Sequence, residues 1–116
     1  MPSAKNTTAG GWVAMDAETG KILWSIADPA NGTAAGPVTV ANGVLFGGST
    51  NPQGPIYAID IRTGEILWAN NTGATVYGGM SVSNGCIYLG NGYRVGFGSL
   101  NPSFTAGTSL FAFCLY

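Results

Sequence analysis

An eleven-residue segment occurs in two similar copies in this chain of 116 residues. Ala14–Trp24 reads AMDAETGKILW, and it returns as Ala58–Trp68, which reads AIDIRTGEILW, at an offset of 44 residues. A fixed period of about 20–50 residues indicates a solenoid, a propeller or an array of repeated units. Because one such unit cannot bury its apolar face alone, we expect the function to belong to an assembly of units rather than to any single residue.

Two further pairs of segments extend the repeat. Gly36–Phe46 is echoed by Gly78–Tyr88 at an offset of 42 residues, and Leu110–Leu115 resembles Ile56–Ile61. Only Tyr116 follows the last of these segments, so neither a Thr-Gly turn nor a third tryptophan of the repeated kind comes after it. We therefore expect a third, incomplete copy of the unit at this end of the sequence.

Turn residues at regular places divide the chain into short strands. Asn42-Gly43 and Asn84-Gly85 are the strongest hairpin signals, because Asn and Gly adopt the positive φ that two-residue hairpin loops need. Asp16–Gly20 forms the turn of the repeated segment, and Asp60–Gly64 forms the same turn in its second copy. This pattern predicts nine antiparallel strands in groups of two, four and three.

Four antiparallel strands in about 42–44 residues are typical of one blade of a β-propeller. We therefore predict an all-β chain that is a partial β-propeller of about two to two and a half four-stranded blades. About residues 10–27 would form the outer half of one blade, residues 34–69 a complete blade, and residues 76–116 a last blade without its outer strand. The glycine-rich stretch 91–108 is interpreted as an elaborated loop of that last blade.

Composition argues against two classes of partner. Charged residues make up 8% of the chain, the net charge is −1, and no cluster of Lys and Arg is present that could bind a phosphate backbone. No apolar run is long enough to span a bilayer. We therefore expect neither a nucleic acid partner nor a membrane span. Three Asn-x-Ser/Thr triplets, at Asn6, Asn31 and Asn70, favour a secreted or secretory-pathway parent protein.

The side chains that could carry chemistry are few. The chain has no histidine, which excludes a Ser-His-Asp triad, a Cys-His pair and a histidine metal site. Its carboxylates are Asp16, Glu18, Asp28, Asp60 and Glu65. We interpret Asp16 and Asp60 as turn residues and the glutamates as solvated surface. Asp28 is interpreted as a polar residue of an interblade linker, with the alternative that it faces a central funnel. We predict no catalytic and no metal-binding residue in this chain.

Cys86 and Cys114 are the two cysteines of the chain. They are expected on neighbouring antiparallel strands of the last blade, and if Tyr88 lies opposite Ala112, then Cys86 lies opposite Cys114. We therefore expect the two residues to be close together. A disulfide and two buried thiols both remain open. We favour the buried thiols, because cross-strand disulfides are often strained and a free cysteine packs well on a sheet.

The repeated pattern Ala-x-Asp-x-x-Thr-Gly-x-x-x-Trp resembles the tryptophan-docking motif of pyrroloquinoline-quinone (PQQ) repeat propellers, the quinoprotein alcohol dehydrogenase-like family. Tyr77–Cys86 and Phe104–Cys114 are similar to the C-terminal end of plant polyvinyl-alcohol-dehydrogenase-like proteins. The resemblance implies an eight-bladed parent in which each motif tryptophan stacks between an alanine of its own blade and the glycine turn of a neighbour. The residues assigned to this docking motif are Ala14, Asp16, Gly20, Trp24, Ala58, Asp60, Gly64 and Trp68.

The same resemblance implies that residues 1–116 are the C-terminal segment of a PQQ-dependent alcohol dehydrogenase-like quinoprotein, a segment that is inactive alone. The alternative is a non-catalytic propeller scaffold that binds protein or glycan. The full-length parent would hold PQQ beside a divalent metal such as calcium in its central funnel, and this segment would hold neither alone. Thr33 and Tyr77, in the linkers that lead into innermost strands, are the candidate cofactor contacts.

The partners implied by this interpretation are the remaining blades of the parent. Without them, the edges of the blades stay unpaired, and apolar residues on the interblade faces lack a neighbour on one side. We expect the isolated chain to self-associate through these surfaces. If Trp68 is buried as the motif implies, its replacement by alanine would cost about 3–5 kcal/mol. The interblade residues in question are Val38, Val40, Met80 and Val82.

Overall fold

The computed structural model describes residues 10–34, 36–92, 107 and 109–114. These residues form nine β-strands and no helix, which confirms the all-β prediction. The strands are β1 (Gly11–Met15), β2 (Ile22–Ala27), β3 (Thr39–Ala41), β4 (Val44–Gly48), β5 (Pro55–Asp60), β6 (Ile66–Asn71), β7 (Ser81–Ser83), β8 (Cys86–Gly90) and β9 (Leu110–Cys114).

The strands pair in three antiparallel sheets. Sheet A has the order β1-β2, sheet B the order β3-β4-β5-β6, and sheet C the order β7-β8-β9. The predicted grouping of two, four and three is therefore confirmed. The first strand of sheet B begins at Thr39, shortly after Pro37, which has no N–H to donate to a neighbouring strand. Residues 1–9 and 93–106, with the Asn6 triplet and most of the expected long loop, lie outside the described residues.

The inner hairpins form at the Asn-Gly turns. Asn42 and Gly43 have φ angles of 51° and 76°, and Asn84 and Gly85 have 52° and 75°. Two successive positive φ values define the loop type whose twist matches that of antiparallel strands. The register follows directly, with Ala41 opposite Val44 in sheet B and Ser83 opposite Cys86 in sheet C.

Sheet B lies between the other two sheets, and its strand β5 contributes to two hydrophobic clusters. Tyr57 and Ile59 pack in the first cluster, with residues of sheet A, whereas Ile56 packs in the second, with residues of sheet C. Neighbouring strand residues point to opposite faces, and β5 is accordingly buried on both sides from Pro55 to Ile59. The buried members of the first cluster are Trp12, Trp24, Leu45, Tyr57 and Ile59. Those of the second are Ile56, Val76, Met80, Ile87 and Leu89.

The expectation that Met80 is left exposed is wrong. Met80 is buried in the second cluster, and its backbone oxygen accepts a hydrogen bond of 2.6 Å from the Thr39 hydroxyl. The segment that leads into sheet C therefore packs against sheet B. Val38, Val40 and Val82 are exposed as expected, and Val82 is the least exposed of the three.

Strand β9 is joined to β8 by a covalent bond. The predicted register is confirmed, with Tyr88 opposite Ala112 and Cys86 opposite Cys114. The preference for two thiols is wrong, because the structure joins Cys86 and Cys114 in a disulfide, with the Cα atoms 4.0 Å apart. The direct opposition of the two residues brings their side chains to one face of the sheet, where a bond can form. Among the described residues, none belongs to a helix that could cross a membrane.

Candidate functional site

The repeated turn has the same backbone hydrogen bonds in both of its copies. Gly20 N–H donates to the Asp16 carbonyl, and Gly64 N–H donates to the Asp60 carbonyl, both at 2.8 Å. The φ angles of the two glycines are 73° and 77°. Asp16 Oδ1 also accepts the N–H groups of Glu18 and Thr19, and Asp60 Oδ1 accepts the N–H group of Arg62. In the first copy the N–H groups of Thr19 and Glu18 hold the pKa of Asp16 below its usual range.

The tryptophan of the first copy docks on the turn of the second. Trp24 is 3% exposed and lies opposite Ala14 on the neighbouring strand. Its Nε1–H donates a hydrogen bond of 2.8 Å to the Ile61 carbonyl oxygen in the turn of sheet B. A Cβ atom at Gly64 would lie 2.8 Å from two ring carbons of Trp24, so the indole rests directly on this glycine. The apolar ring is buried while its N–H keeps a partner.

The tryptophan of the second copy has a different environment. Trp68 lies opposite Ala58, as Trp24 lies opposite Ala14, but its exposed fraction is 37%. Its ring meets the edge of Phe113, with the centroids 5.2 Å apart. Among the described residues, none accepts a hydrogen bond from its Nε1–H. The premise that Trp68 is buried is therefore wrong for this chain, because no described turn covers it as the Gly64 turn covers Trp24.

A largely apolar groove runs beside Trp68 between sheets B and C. Its volume is about 620 Å³. The residues that line it include Phe46, Ala58, Trp68, Ile87 and Phe113. The equivalent space between sheets A and B holds the turn of the next sheet and the side chain of Ile66, which packs on the first cluster. The groove thus corresponds in the repeat to the position that the β5–β6 turn occupies beside Trp24.

Gly64 and Gly20 offer a matched test of the docking contact. Gly20→Ala is expected to cost about 1–2 kcal/mol, since its φ is left-handed while a Cβ there meets nothing within 4 Å among the described residues. Gly64→Ala is expected to cost at least about 1 kcal/mol more, because its Cβ would also displace Trp24. Urea unfolding followed by circular dichroism measures both losses. Equal losses would contradict a close contact between Gly64 and Trp24.

Asp28, the acid for which a funnel position was the alternative, is a buried structural residue. It is 4% exposed. Its carboxylate accepts hydrogen bonds from Ala30 N–H at 2.8 Å, from Gly32 N–H at 3.1 Å and from the Tyr57 hydroxyl at 3.2 Å. Both carboxylate oxygens therefore have protein partners, as a buried carboxylate requires. The bonds hold the linker between sheets A and B against β5.

Tyr57 was not singled out from the sequence, although it completes this cluster. Burial, and next the negative charge of Asp28, raises the pKa of the Tyr57 phenol well above its usual range. The phenol therefore remains a hydrogen-bond donor to Asp28 at all physiological pH values. The edge of the Trp12 ring system meets Tyr57, with the centroids 5.5 Å apart. One available signal was the position of Tyr57 on a strand whose residues are apolar on both faces.

The two candidate cofactor contacts lie in successive linkers. Thr33 follows β2, its N–H donates to the Thr50 hydroxyl at 3.0 Å, and the two hydroxyl groups are 2.5 Å apart. Tyr77 precedes β7, and its carbonyl oxygen lies against Gly36 at the beginning of sheet B. In the part of the chain that the structure describes, no three residues of the types His, Cys, Asp and Glu stand together as a metal site.

Comparisons with known proteins agree with the repeat geometry. The profile of a PQQ-type family described as outer membrane protein assembly factor BamB matches residues 9–99. A lanthanide-dependent methanol dehydrogenase of Methylacidiphilum fumariolicum (strain SolV) is 34% identical over 74 residues, which are 64% of this chain. The chain spans only 12% of the length of this curated relative. The resemblance to plant polyvinyl-alcohol-dehydrogenase-like proteins stays a prediction.

The family profile covers most of the chain, including both copies of the docking segment and all of sheet B. Within that range the turn of one sheet receives the tryptophan of the preceding sheet, which is how neighbouring repeats bury faces that they cannot bury alone. The strand grouping and the profile therefore lead to one conclusion: the chain belongs to the PQQ-repeat family of quinoprotein propellers and is a partial, all-β propeller.

Proposed function

We propose that this chain is a segment of a PQQ-dependent alcohol dehydrogenase-like quinoprotein, in which it supplies blade structure rather than catalytic groups. The observation that carries the proposal is the 34% identity to a methanol dehydrogenase over 74 residues. The contact of Trp24 with the Gly64 turn supports a structural role, since it joins one repeated unit to the next. The other blades of the parent protein are the partners in this proposal.

The described residues do not fit a metal centre. Asp28 uses both carboxylate oxygens within the protein, and Asp16 and Asp60 bind N–H groups of their own turns. We therefore derive no chemical step from this segment, and we assign the residues that bind a divalent metal such as calcium, and most of those that hold PQQ, to the other blades of the parent. From this segment, the proposal includes contact of Thr33 or Tyr77 with PQQ, supported by their positions in the linkers.

The test uses the parent reading frame, expressed with its upstream blades. Purified parent protein reconstituted with PQQ and Ca²⁺, or with PQQ and La³⁺, is expected to reduce an artificial electron acceptor when a primary alcohol is added. The 116-residue chain treated in the same way is expected to show no such reduction. Parent protein without added PQQ serves as the control. A folded parent that neither binds PQQ nor reduces the acceptor would contradict the proposal.

A second candidate function is a non-catalytic propeller scaffold that binds protein or glycan. The description of the matching family profile as an outer membrane protein assembly factor favours it. The docking contact between sheets would serve equally well in such a scaffold, because it is structural in both cases. Titration of the parent with PQQ discriminates the two candidates, since a scaffold is expected to leave PQQ fluorescence and absorbance unchanged.

We also propose an oxidising compartment for the parent. The Cys86–Cys114 disulfide supports this location, because such bonds persist in secreted proteins and are reduced in the cytosol. The Asn-x-Ser/Thr triplets at Asn6, Asn31 and Asn70 agree with it. Alkylation of free thiols in freshly lysed cells, followed by mass spectrometry, is expected to leave both cysteines unmodified.

The isolated chain is expected to self-associate. Val13, Met15 and Leu23 of the first hairpin are 50% or more exposed, and Trp68 lines an open apolar groove. Strand β1 of sheet A and strand β9 of sheet C also pair with one described strand each, so each leaves one strand edge free among the described residues. Exposed apolar surface and free strand edges favour association. Sedimentation velocity is expected to show oligomers whose fraction rises with concentration, and a monomer that persists at high concentration would contradict this expectation.

A further inference from the structure

The turn after β2 carries an Asn-Gly-Thr triplet at residues 31–33. The sequence pattern is that of an acceptor for N-linked oligosaccharide, and the structure shows Asn31 exposed with a left-handed φ of 60°. We propose that Asn31 is a glycosylation site of this protein. The inference goes beyond the proposed function, because it holds for a dehydrogenase segment and for a scaffold alike.

The side chain of Asn31 is exposed, whereas the backbone N–H groups of this turn are hydrogen-bonded. Asn31 N–H donates to the Asp28 carbonyl oxygen at 2.9 Å, and Gly32 N–H donates to the Asp28 carboxylate. Thr33 N–H donates to Thr50. By contrast, none of the described residues makes a hydrogen bond with the carboxamide of Asn31. A glycan on this side chain therefore displaces no hydrogen bond among the described residues.

The turn that carries Asn31 is held by both of the sheets that it joins. It follows β2 of sheet A and leads to sheet B. The Asn51 carboxamide donates a hydrogen bond of 2.8 Å to the carbonyl oxygen of Ala30, next to the site, which fixes the turn to sheet B. Asn31 is thus exposed on a turn whose neighbouring residues are hydrogen-bonded within this chain.

The Cys86–Cys114 disulfide is an independent observation that points to the same modification. A disulfide of this kind persists in an oxidising compartment, either the secretory pathway or a bacterial periplasm, rather than in a reducing cytosol. Oligosaccharide is transferred to Asn on surface loops of proteins that pass through the secretory pathway. The disulfide therefore agrees with modification of Asn31 where the oxidising compartment is the secretory pathway.

Asn70 differs from Asn31 in its structural surroundings. It also begins an Asn-x-Thr triplet, but it lies on strand β6 and lines the apolar groove beside Trp68. A glycan there would stand in this groove. The Thr72 hydroxyl of the same triplet is buried and donates to the carbonyl oxygens of Gly54 and Ala74. The structure therefore assigns the modification to Asn31 and not to Asn70.

The reaction is a group transfer without any redox change. The donor is an oligosaccharide linked through a pyrophosphate to a membrane lipid. A bond forms between Asn31 Nδ2 and the anomeric carbon of the first sugar, while the bond between that carbon and the pyrophosphate oxygen breaks. The lipid pyrophosphate leaves with the electron pair, and one amide proton passes to a base of the transferase.

The test is translation of the full chain, behind a cleavable secretion signal, in the presence of eukaryotic microsomal membranes. Only chain that is protected from added protease is scored. All chains carry Asn6→Asp, so that the Asn6 triplet cannot contribute, and we expect one step of reduced mobility, which endoglycosidase H removes. Asn31→Asp is expected to abolish the step, and aspartate is chosen because it tolerates the left-handed φ of 60°. Asn70→Asp and Thr33→Ser are the matched controls, and both are expected to keep the step.

Three results would overturn the assignment. Protected chain that retains Asn31 but has no mobility step would show that Asn31 is not an acceptor. A step that persists in Asn31→Asp would show that the modified residue is Asn70. A second mobility step that Asn70→Asp removes would show that the groove beside Trp68 admits a glycan. This result would contradict the assignment of the modification to Asn31 and not to Asn70.

Discussion

Replacing Trp24 with alanine is expected to lower the free energy of unfolding by about 3–5 kcal/mol. The indole is 3% exposed, lies on Gly64 and donates its N–H to the Ile61 carbonyl oxygen. Alanine would leave a cavity between sheets A and B and would leave that carbonyl oxygen without its partner. Chemical unfolding at low protein concentration, followed by far-ultraviolet circular dichroism, measures the loss.

Trp68→Ala is the matched control, because the two tryptophans occupy equivalent positions in the repeat. Its loss is expected to be clearly smaller, since the ring is 37% exposed and makes a ring contact with Phe113. If the two substitutions destabilised the chain equally, the Gly64 turn would not be the source of the effect. In a longer protein that covers Trp68 with a further hairpin, the two losses are expected to become similar.

Removing the disulfide is the second substitution for which we expect a large effect. Cys86 and Cys114 are 28 residues apart, and opening a loop of that length is expected to cost about 3–4 kcal/mol through the entropy of the unfolded chain. The double variant Cys86→Ser, Cys114→Ser is also expected to release β9, which pairs in sheet C with β8 alone. Phe111 and Phe113 would then leave the second cluster.

Hydrogen exchange separates this local effect from a global one. In the double variant, amides of Ile87 and Leu89 on β8 are expected to exchange faster, while amides of Leu45 and Ile59 in the first cluster keep most of their protection. Wild-type protein treated with a reductant serves as the control and is expected to behave like the variant. Unchanged protection on β8 would contradict the role of the disulfide in holding β9.

Much of the fold follows from residues that are close together in the sequence. The Asn-Gly turns set the hairpins of sheets B and C, because positive φ at two neighbouring positions depends on those residues alone. The pairing of Cys86 with Cys114 was predicted on the condition that Tyr88 lies opposite Ala112, a register that the structure has but that the alternation of side chains does not fix by itself. The four-stranded unit followed from the repeat period.

The polar cluster at the linkers could not be predicted in this way. Asp28 and Tyr57 are 29 residues apart, and their hydrogen bond requires sheet A to lie on sheet B. No sequence feature near Asp28 indicates that Tyr57 is its hydrogen-bond partner. The burial of Asp28 and its role in holding the linker are therefore visible only in the folded chain. The positions of Thr33 and Tyr77 relative to a cofactor stay predictions for the same reason, because they depend on blades outside this chain.

The sequence by itself determined the repeated unit, the turns, the strand grouping and the place of both docking tryptophans in that unit. These depend on local backbone preferences and on a spacing that is visible twice. Only the tertiary structure decided that Trp24 is buried and Trp68 half-exposed, that Met80 is covered, and that the two cysteines are bonded. The two copies of the repeated segment have the same local structure. The residues that each copy contacts belong to the next sheet, and the burial of a side chain depends on those contacts.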